Sequence, residues 1–179
     1  KNGTEIKDTT LFVYESTGLF EEQRMVESVS YEGTVTDPSV PGDSILSTTY
    51  YYFIADAEKG EEIANYTHDW NTGRDSYYLY DGNNFAETAD SDMKLVETIV
   101  FLDKAAGTYR SRTIMTGDKG KERANYSYNY RKNGTEIKDT TLFVYESTGV
   151  FEEQRMERSV SYEGTVTDPS NPTQTILST

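Results

Sequence analysis

At an offset of 131 residues the chain repeats itself: residues 1–48 and 132–179 are identical at 41 of 48 positions. The seven differences are Leu19/Val150, Val26/Glu157, Glu27/Arg158, Val40/Asn171, Gly42/Thr173, Asp43/Gln174 and Ser44/Thr175. Four of them fall between the turn-forming Asp37-Pro38 and the next apolar run, and Val26/Glu157 exchanges an apolar residue for a charge, which predicts an exposed position. Near-identical segments are expected to take the same local structure, and chains built this way gain stability from each unit stacking on the next. Thr179 corresponds to Thr48, which runs on into TYYYFIAD, and Lys1 corresponds to Lys132, which follows ANYSYNYR. The expectation is a longer tandem array, with 1–131 a full repeat unit and 132–179 the start of the next.

A fainter echo divides the unit. Lys59-Gly-Glu-Glu-Ile-Ala-Asn-Tyr-Thr67 matches Lys119-Gly-Lys-Glu-Arg-Ala-Asn-Tyr-Ser127 at six of nine positions, and Tyr66, His68 and Trp70 align with Tyr126, Tyr128 and Tyr130. Two half-units meeting near residues 70–76 account for this pattern.

The periodicity is that of strands. Tyr126-Ser-Tyr-Asn-Tyr130 and Tyr66-Thr-His-Asp-Trp70 alternate strictly, and a period of two places each aromatic set on one sheet face. Thr10–Tyr14 and Ile45–Ile54 are rich in β-branched and aromatic residues. Short Gly, Asn, Asp and Pro clusters separate such runs, among them Glu15-Ser-Thr-Gly18, Asp37-Pro-Ser-Val-Pro41, Asn71-Thr-Gly73, Asp81-Gly-Asn-Asn84 and Arg131-Lys-Asn-Gly134. Many short strands at regular spacing predict an all-β fold of tandem antiparallel β-hairpin repeats, arranged as a β-solenoid, a ribbon or an array of bead-like sandwiches. The nearest helical candidate, Phe20–Met25, is short and flanked by strand signals.

One turn frame recurs: a strand aromatic, often an acid, two residues, then glycine. Phe12-Val-Tyr14-Glu15-Ser-Thr-Gly18 has it, Phe143-Val-Tyr145-Glu146-Ser-Thr-Gly149 repeats it, and Tyr128-Asn-Tyr130-Arg-Lys-Asn-Gly134 keeps the spacing with Arg for the acid. The frame resembles the Tyr-Asp (YD) repeats of the Rhs and teneurin type. That resemblance implies chained hairpins building large extracellular or secreted β shells and stalks. Tyr78-Leu-Tyr80-Asp81-Gly82 departs from it by placing glycine early, and Phe101-Leu-Asp103-Lys-Ala-Ala-Gly107 by one extra residue.

Composition narrows the chemistry. The 31 acidic against 17 basic residues give a net charge of −14, which opposes a nucleic-acid backbone or an anionic lipid surface as partner. With no cysteine and one histidine, the chain has no disulfide framework, thiolate metal site, cysteine nucleophile or multi-histidine zinc site. No run approaches the ~20 apolar residues that span a bilayer, so no membrane insertion is expected within this segment, and the amino terminus does not resemble a signal peptide. His68 could serve as a neutral-pH base, but its half-unit counterpart is Tyr128, which favours an aromatic wall position. Carboxylate pairs suited to glycoside hydrolysis arise in any chain this acidic, and the acids are better read as solvated faces. Asp81-Gly-Asn-Asn84 and Asp90-Ser-Asp92 fit no calcium-loop spacing and read as turn chemistry. Neither a metal, a cofactor nor an enzymatic activity is expected.

Four Asn-x-Ser/Thr triplets, at Asn2, Asn65, Asn125 and Asn133, are candidate glycosylation sites in an exported chain. The 15 tyrosines suit thin β structures, where the ring packs a face and the hydroxyl reaches water, and could also form platforms for sugar rings. The sequence points to a structural repeat of a long extracellular filament, fibre or cell-surface stalk, propagated by strand pairing and stacking between near-identical units of the same chain or of neighbouring subunits. The alternative is an adhesin or carbohydrate-binding β-repeat using exposed tyrosines, with glycans bound or covalently attached.

Overall fold

Alternating Thr, Tyr, Ser and Val residues separated by Gly- and Asn-containing turns produce twelve strands in the computed structural model. It describes residues 7–16, 18–19, 21–35, 45–53, 58–147, 149–151, 154–166, 172–173 and 175–179. Asn2 and the Asp37–Pro41 turn lie outside them. The strands are β1 (Asp8–Tyr14), β2 (Met25–Glu32), β3 (Ile45–Tyr52), β4 (Ile63–Asp69), β5 (Arg74–Tyr80), β6 (Asn84–Phe85), β7 (Leu95–Asp103), β8 (Thr108–Thr116), β9 (Arg123–Tyr130), β10 (Ile137–Tyr145), β11 (Met156–Glu163) and β12 (Ile176–Ser178). The protein is all-β, with antiparallel strands that follow chain order in one open sheet, only β6 branching off to pair with β5. Phe20 lies outside the described residues, Glu21 and Glu22 form a turn, and Met25 opens a strand, so the Phe20–Met25 segment supplies no helix among them. No described helix is long and apolar enough to cross a membrane.

Two compact units divide the chain, residues 1–77 with 84–91, and residues 78–83 with 92–179. In the first, β1 and β2 pair from Asp8↔Glu32 to Tyr14↔Met25 with an irregularity at Val13/Tyr14. In the second, β10 and β11 pair from Asp139↔Glu163 to Tyr145↔Met156 with the irregularity at Val144/Tyr145. Every partner is displaced by 131. The polar details repeat as well: Thr9 Oγ1 donates to Gly33 O at 2.6 Å and Thr140 Oγ1 to Gly164 O at 2.7 Å. Glu15 and Glu146 each accept the backbone N–H of the arginine across the turn, Arg24 at 3.2 Å and Arg155 at 3.0 Å.

A second correspondence links β3–β4 with β8–β9. Thr49↔Thr67 and Tyr50↔Tyr66 match Thr113↔Ser127 and Ile114↔Tyr126, and each hairpin is irregular one step further on, before Tyr51 and before Met115. The hydroxyls of Thr49 and Thr67 meet at 2.7 Å, those of Thr113 and Ser127 at 3.0 Å.

In the second unit this hydroxyl position extends into a row across six strands: Thr98, Thr113, Ser127, Thr141, Ser161 and Ser178. Cross-strand Thr/Ser pairs of this kind each contribute roughly 0.2–1 kcal/mol. The opposite face carries the apolar cluster of Leu142, Val160, Tyr162 and Val166, against which Tyr126 and Val144 pack. On β7, Glu97, 4% exposed, receives a two-pronged ion pair from Arg112 of β8. That core is thin, as a sheet with short connections allows.

Candidate functional site

Tyr66 stands between Tyr50 and Tyr77, its registered partners on β3 and β5, with ring centroids 4.7 and 5.3 Å away. His68 lies one step along the same face, its Nδ1 2.6 Å from Asp75 Oδ1 and its ring edge-on to Trp70 at 4.5 Å. Trp70 follows β4, half exposed, and donates its indole N–H to Thr48 Oγ1 at 3.0 Å. Thr48, the hydroxyl directly across from His68, is 4% exposed and thus shut off from a substrate. Tyr126 and Tyr128 meet edge-on at 5.2 Å, while Tyr130 packs at 5.3 Å against Tyr109, which in turn packs against Phe101. Burial pushes the hydroxyls of Tyr66, Tyr77, Tyr128 and Tyr130 above the ordinary tyrosine value, and for Tyr130 a hydrogen-bonded Arg112 partly offsets it.

The asparagine triplets differ in setting. Asn125 is exposed on β9. Asn133 is exposed in the β9–β10 turn, where its Oδ1 accepts the N–H groups of Thr135 and Glu136, each at 3.2 Å. Asn65 is half-buried on β4, with Nδ2 3.4 Å from Glu87. Of the acids in the two candidate calcium segments, Asp81 and Asp92 sit in turns and Asp90 just before one, and Asp81 Oδ1 accepts the N–H of Gly82. Among the described residues no group of three or more His, Asp or Glu is placed to hold a metal ion.

A different feature concentrates chemistry in the second unit. A cavity of about 590 Å³ is lined by Tyr109, Tyr130, Leu102, Asn129, Asp139 and four cations, Arg110, Arg131, Lys132 and Lys138. Three of these side chains sit where the pairing skips a residue. Between Val100↔Ser111 and Phe101↔Tyr109 the extra residue is Arg110; before Asp103↔Thr108 it is Leu102; between Ile137↔Tyr130 and Asp139↔Asn129 it is Lys138. A bulge bends its strand and re-aims the extra side chain, so three neighbouring irregularities gather residues that regular pleating would scatter.

The β9–β10 turn holds the remaining cations. Gly134 N donates to Arg131 O at 2.9 Å, Arg131 N donates to Glu136 O at 2.8 Å, and Tyr109 N reaches over to Gly134 O at 2.8 Å. Gly134 has φ +70°, and a β-carbon there would lie 2.5 Å from Thr108 Cβ, so this close approach requires glycine. Only weak or short-range pairing neutralises the cations. Arg131 and Glu136 are 3.8 Å apart and both exposed, Lys138 is 3.2 Å from Asp139, and Arg110 and Lys132 have no carboxylate partner among the described residues. Asp139, 8% exposed, also accepts Asn129 Nδ2 at 2.6 Å.

Of the candidate site residues named from the sequence, only Tyr130 lines this cavity. The cations were legible in another way: residues 104–138 hold nine Lys and Arg against three acids, a local net charge of +6 in a chain of −14, and Arg131-Lys132 is its one adjacent basic pair. Averaging charge over the whole chain hides that reversal. No protein-family model, no curated protein and no solved structure matches the chain, and the likeness to Tyr-Asp repeats rests on turn spacing.

Proposed function

We propose that this chain is a structural repeat of a long extracellular filament, fibre or cell-surface stalk, extended by strand pairing between near-identical units. The observation that carries the reading is the register shared by β1–β2 and β10–β11 at a displacement of 131 residues. On its other side β10 accepts β9, pairing Asp139↔Asn129, Thr140↔Tyr128, Thr141↔Ser127 and Leu142↔Tyr126. β1 carries the same Asp8-Thr-Thr-Leu11 sequence, and β2 is its only strand partner among the described residues. An edge with that sequence suits a β9-like strand of another unit, since main-chain hydrogen bonds supply affinity and alternate side chains the register. The acidic surface keeps such an array soluble and discourages unregistered edge pairing.

Cryo-electron microscopy of the native, full-length material tests the proposal. Eight sequentially paired strands per 131-residue unit at ~4.8 Å spacing give a rise of roughly 38 Å. A filament with that axial repeat supports the structural role, and discrete particles without one overturn it. The second reading, a carbohydrate-binding β-repeat, draws its support from Tyr109 and Tyr130 in the wall of a cavity that also holds four cations. Glycan binding lost on Tyr→Ala at these positions, with the fold retained, favours it.

A further inference from the structure

We propose that the cavity framed by Arg110, Arg131, Lys132, Lys138, Tyr109 and Tyr130 binds a carboxylated sugar unit of an acidic polysaccharide. This deepens the carbohydrate-binding reading and is independent of the filament. Position 110 provides the first argument. The same bulge recurs in the related hairpins, where pairing passes from Ser30↔Ser47 to Tyr31↔Ile45 around Leu46, and from Ser161↔Ser178 to Tyr162↔Ile176 around Leu177. Leucine occupies two of the three equivalent bulges, so the backbone irregularity does not require a cation. Of these three equivalent bulge residues only Arg110 lines the cavity, where it adds a cation that the bulge itself does not need.

Ligand class follows from what lines the walls. Four cations in a chain of net charge −14 call for an anionic group, and a guanidinium fork is matched to a carboxylate. Asp139 lines the same cavity, and a carboxylate there opposes a compact multiply charged anion such as phosphate. Its remaining acceptor capacity, with the Asn129 amide, suits a ligand that also offers hydroxyl groups. Tyr109 and Tyr130 add aromatic side chains to the wall, with Tyr109 itself packed between Phe101 and Tyr130. An acidic peptide would satisfy the cations but makes no use of that combination of hydroxyl partners and aromatic wall. The volume of about 590 Å³ falls within the usual range for small-molecule sites. The hydrogen-bonded 131–136 turn holds the backbone that carries Arg131 and Lys132 before binding, which lowers the ordering cost of the loop.

Isothermal titration calorimetry of the 179-residue chain with a galacturonic acid trisaccharide provides the test, alongside its neutral galactose counterpart, sodium sulfate and a glutamate-rich peptide. The acidic trisaccharide is expected to bind at least tenfold tighter than any of the other three and to weaken as salt rises. Arg110→Leu, which installs the residue found at positions 46 and 177, is expected to reduce that affinity at least tenfold with an unchanged circular dichroism spectrum and melting temperature. Lys132→Gln should weaken it less, and Lys119→Gln, outside the cavity, should leave it unchanged. Equal binding of the neutral and acidic trisaccharides, insensitive to Arg110→Leu, overturns the acidic-sugar assignment while sparing carbohydrate binding. Sulfate or the peptide binding as tightly identifies a general anion site and overturns the sugar assignment. No binding of either trisaccharide overturns both.

Discussion

The hairpins β1–β2 and β10–β11 have nearly the same sequence and the same register, yet they occupy different environments. Leu142 is 8% exposed and belongs to the apolar cluster, whereas Leu11 in the same strand position is half-buried. Thr140 is 1% exposed and Thr9 is half-buried. The Tyr145 hydroxyl donates to Ala124 O at 2.7 Å beneath the Arg123 guanidinium, 3.9 Å from the ring, while Tyr14 is 40% exposed with Lys59 5.7 Å away. The variable is the neighbour: β9 covers one side of β10, and β1 has no described strand in that place. A strand's sequence sets which faces are apolar, but burial requires something to lie against them.

Leucine truncation should break the equivalence most strongly. Leu142→Ala is expected to destabilise its hairpin by about 2–4 kcal/mol, and Leu11→Ala by about half as much, because the half-exposed site loses less burial and leaves a smaller cavity. Hydrogen exchange resolved by strand separates the two, and equal losses would show that the neighbouring strand contributes nothing.

Glycine should restore the equivalence. Gly33 and Gly164 have φ of +75° and +69° with open space around the missing β-carbon, so alanine at either costs backbone strain alone. Each substitution is expected to cost about 1 kcal/mol, equally in the two hairpins. A clear inequality in the same exchange measurement would mean that the environments reach into the turn.

Removing one hydroxyl gives a finer contrast. Tyr145→Phe loses a hydrogen bond to Ala124 and should cost about 1 kcal/mol, whereas among the described residues no hydrogen bond of this kind involves the Tyr14 hydroxyl and Tyr14→Phe should be nearly neutral. Comparable costs in urea unfolding would contradict the difference in their surroundings.

Alkaline pH should produce the smallest effect. Burial pushes Tyr145 above the ordinary tyrosine value near 10, partly opposed by Arg123. A raised folded value means the contribution is fully present below the unfolded value and is lost as pH rises through the folded one. The β10–β11 hairpin should therefore loosen above about pH 10. Ultraviolet titration of wild type against Tyr145→Phe checks this: a residue 145 signal at or below the ordinary value contradicts the burial.

Much of the fold was legible because its signals are local. Strict alternation located the aromatic runs of β4 and β9, and turn residues such as Asn71–Gly73 separated the strands. Trp70 ended just beyond β4, since the turn begins there. The exchange at position 26/157 was half legible: Glu157 is exposed, as a charge in place of valine suggested, whereas Val26 is half-buried. The His68–Asp75 pair was not visible, because it depends on the β4–β5 register that the Asn71–Gly73 turn enforces. Arg110, Leu102 and Lys138 were equally hidden, for a bulge is a mismatch between two strands and neither strand records it alone.

The sequence by itself determined the all-β character, the repeat at 131 residues and the reversal of charge within residues 104–138, since each is a property of composition and spacing along one segment. Tertiary structure decided which copy of the repeated hairpin is covered and which cations share a cavity. Those outcomes rest on register and on the identity of the adjacent strand. Each strand's own residues leave both unset, for a shift of one residue in the pairing turns a side chain from one face to the other.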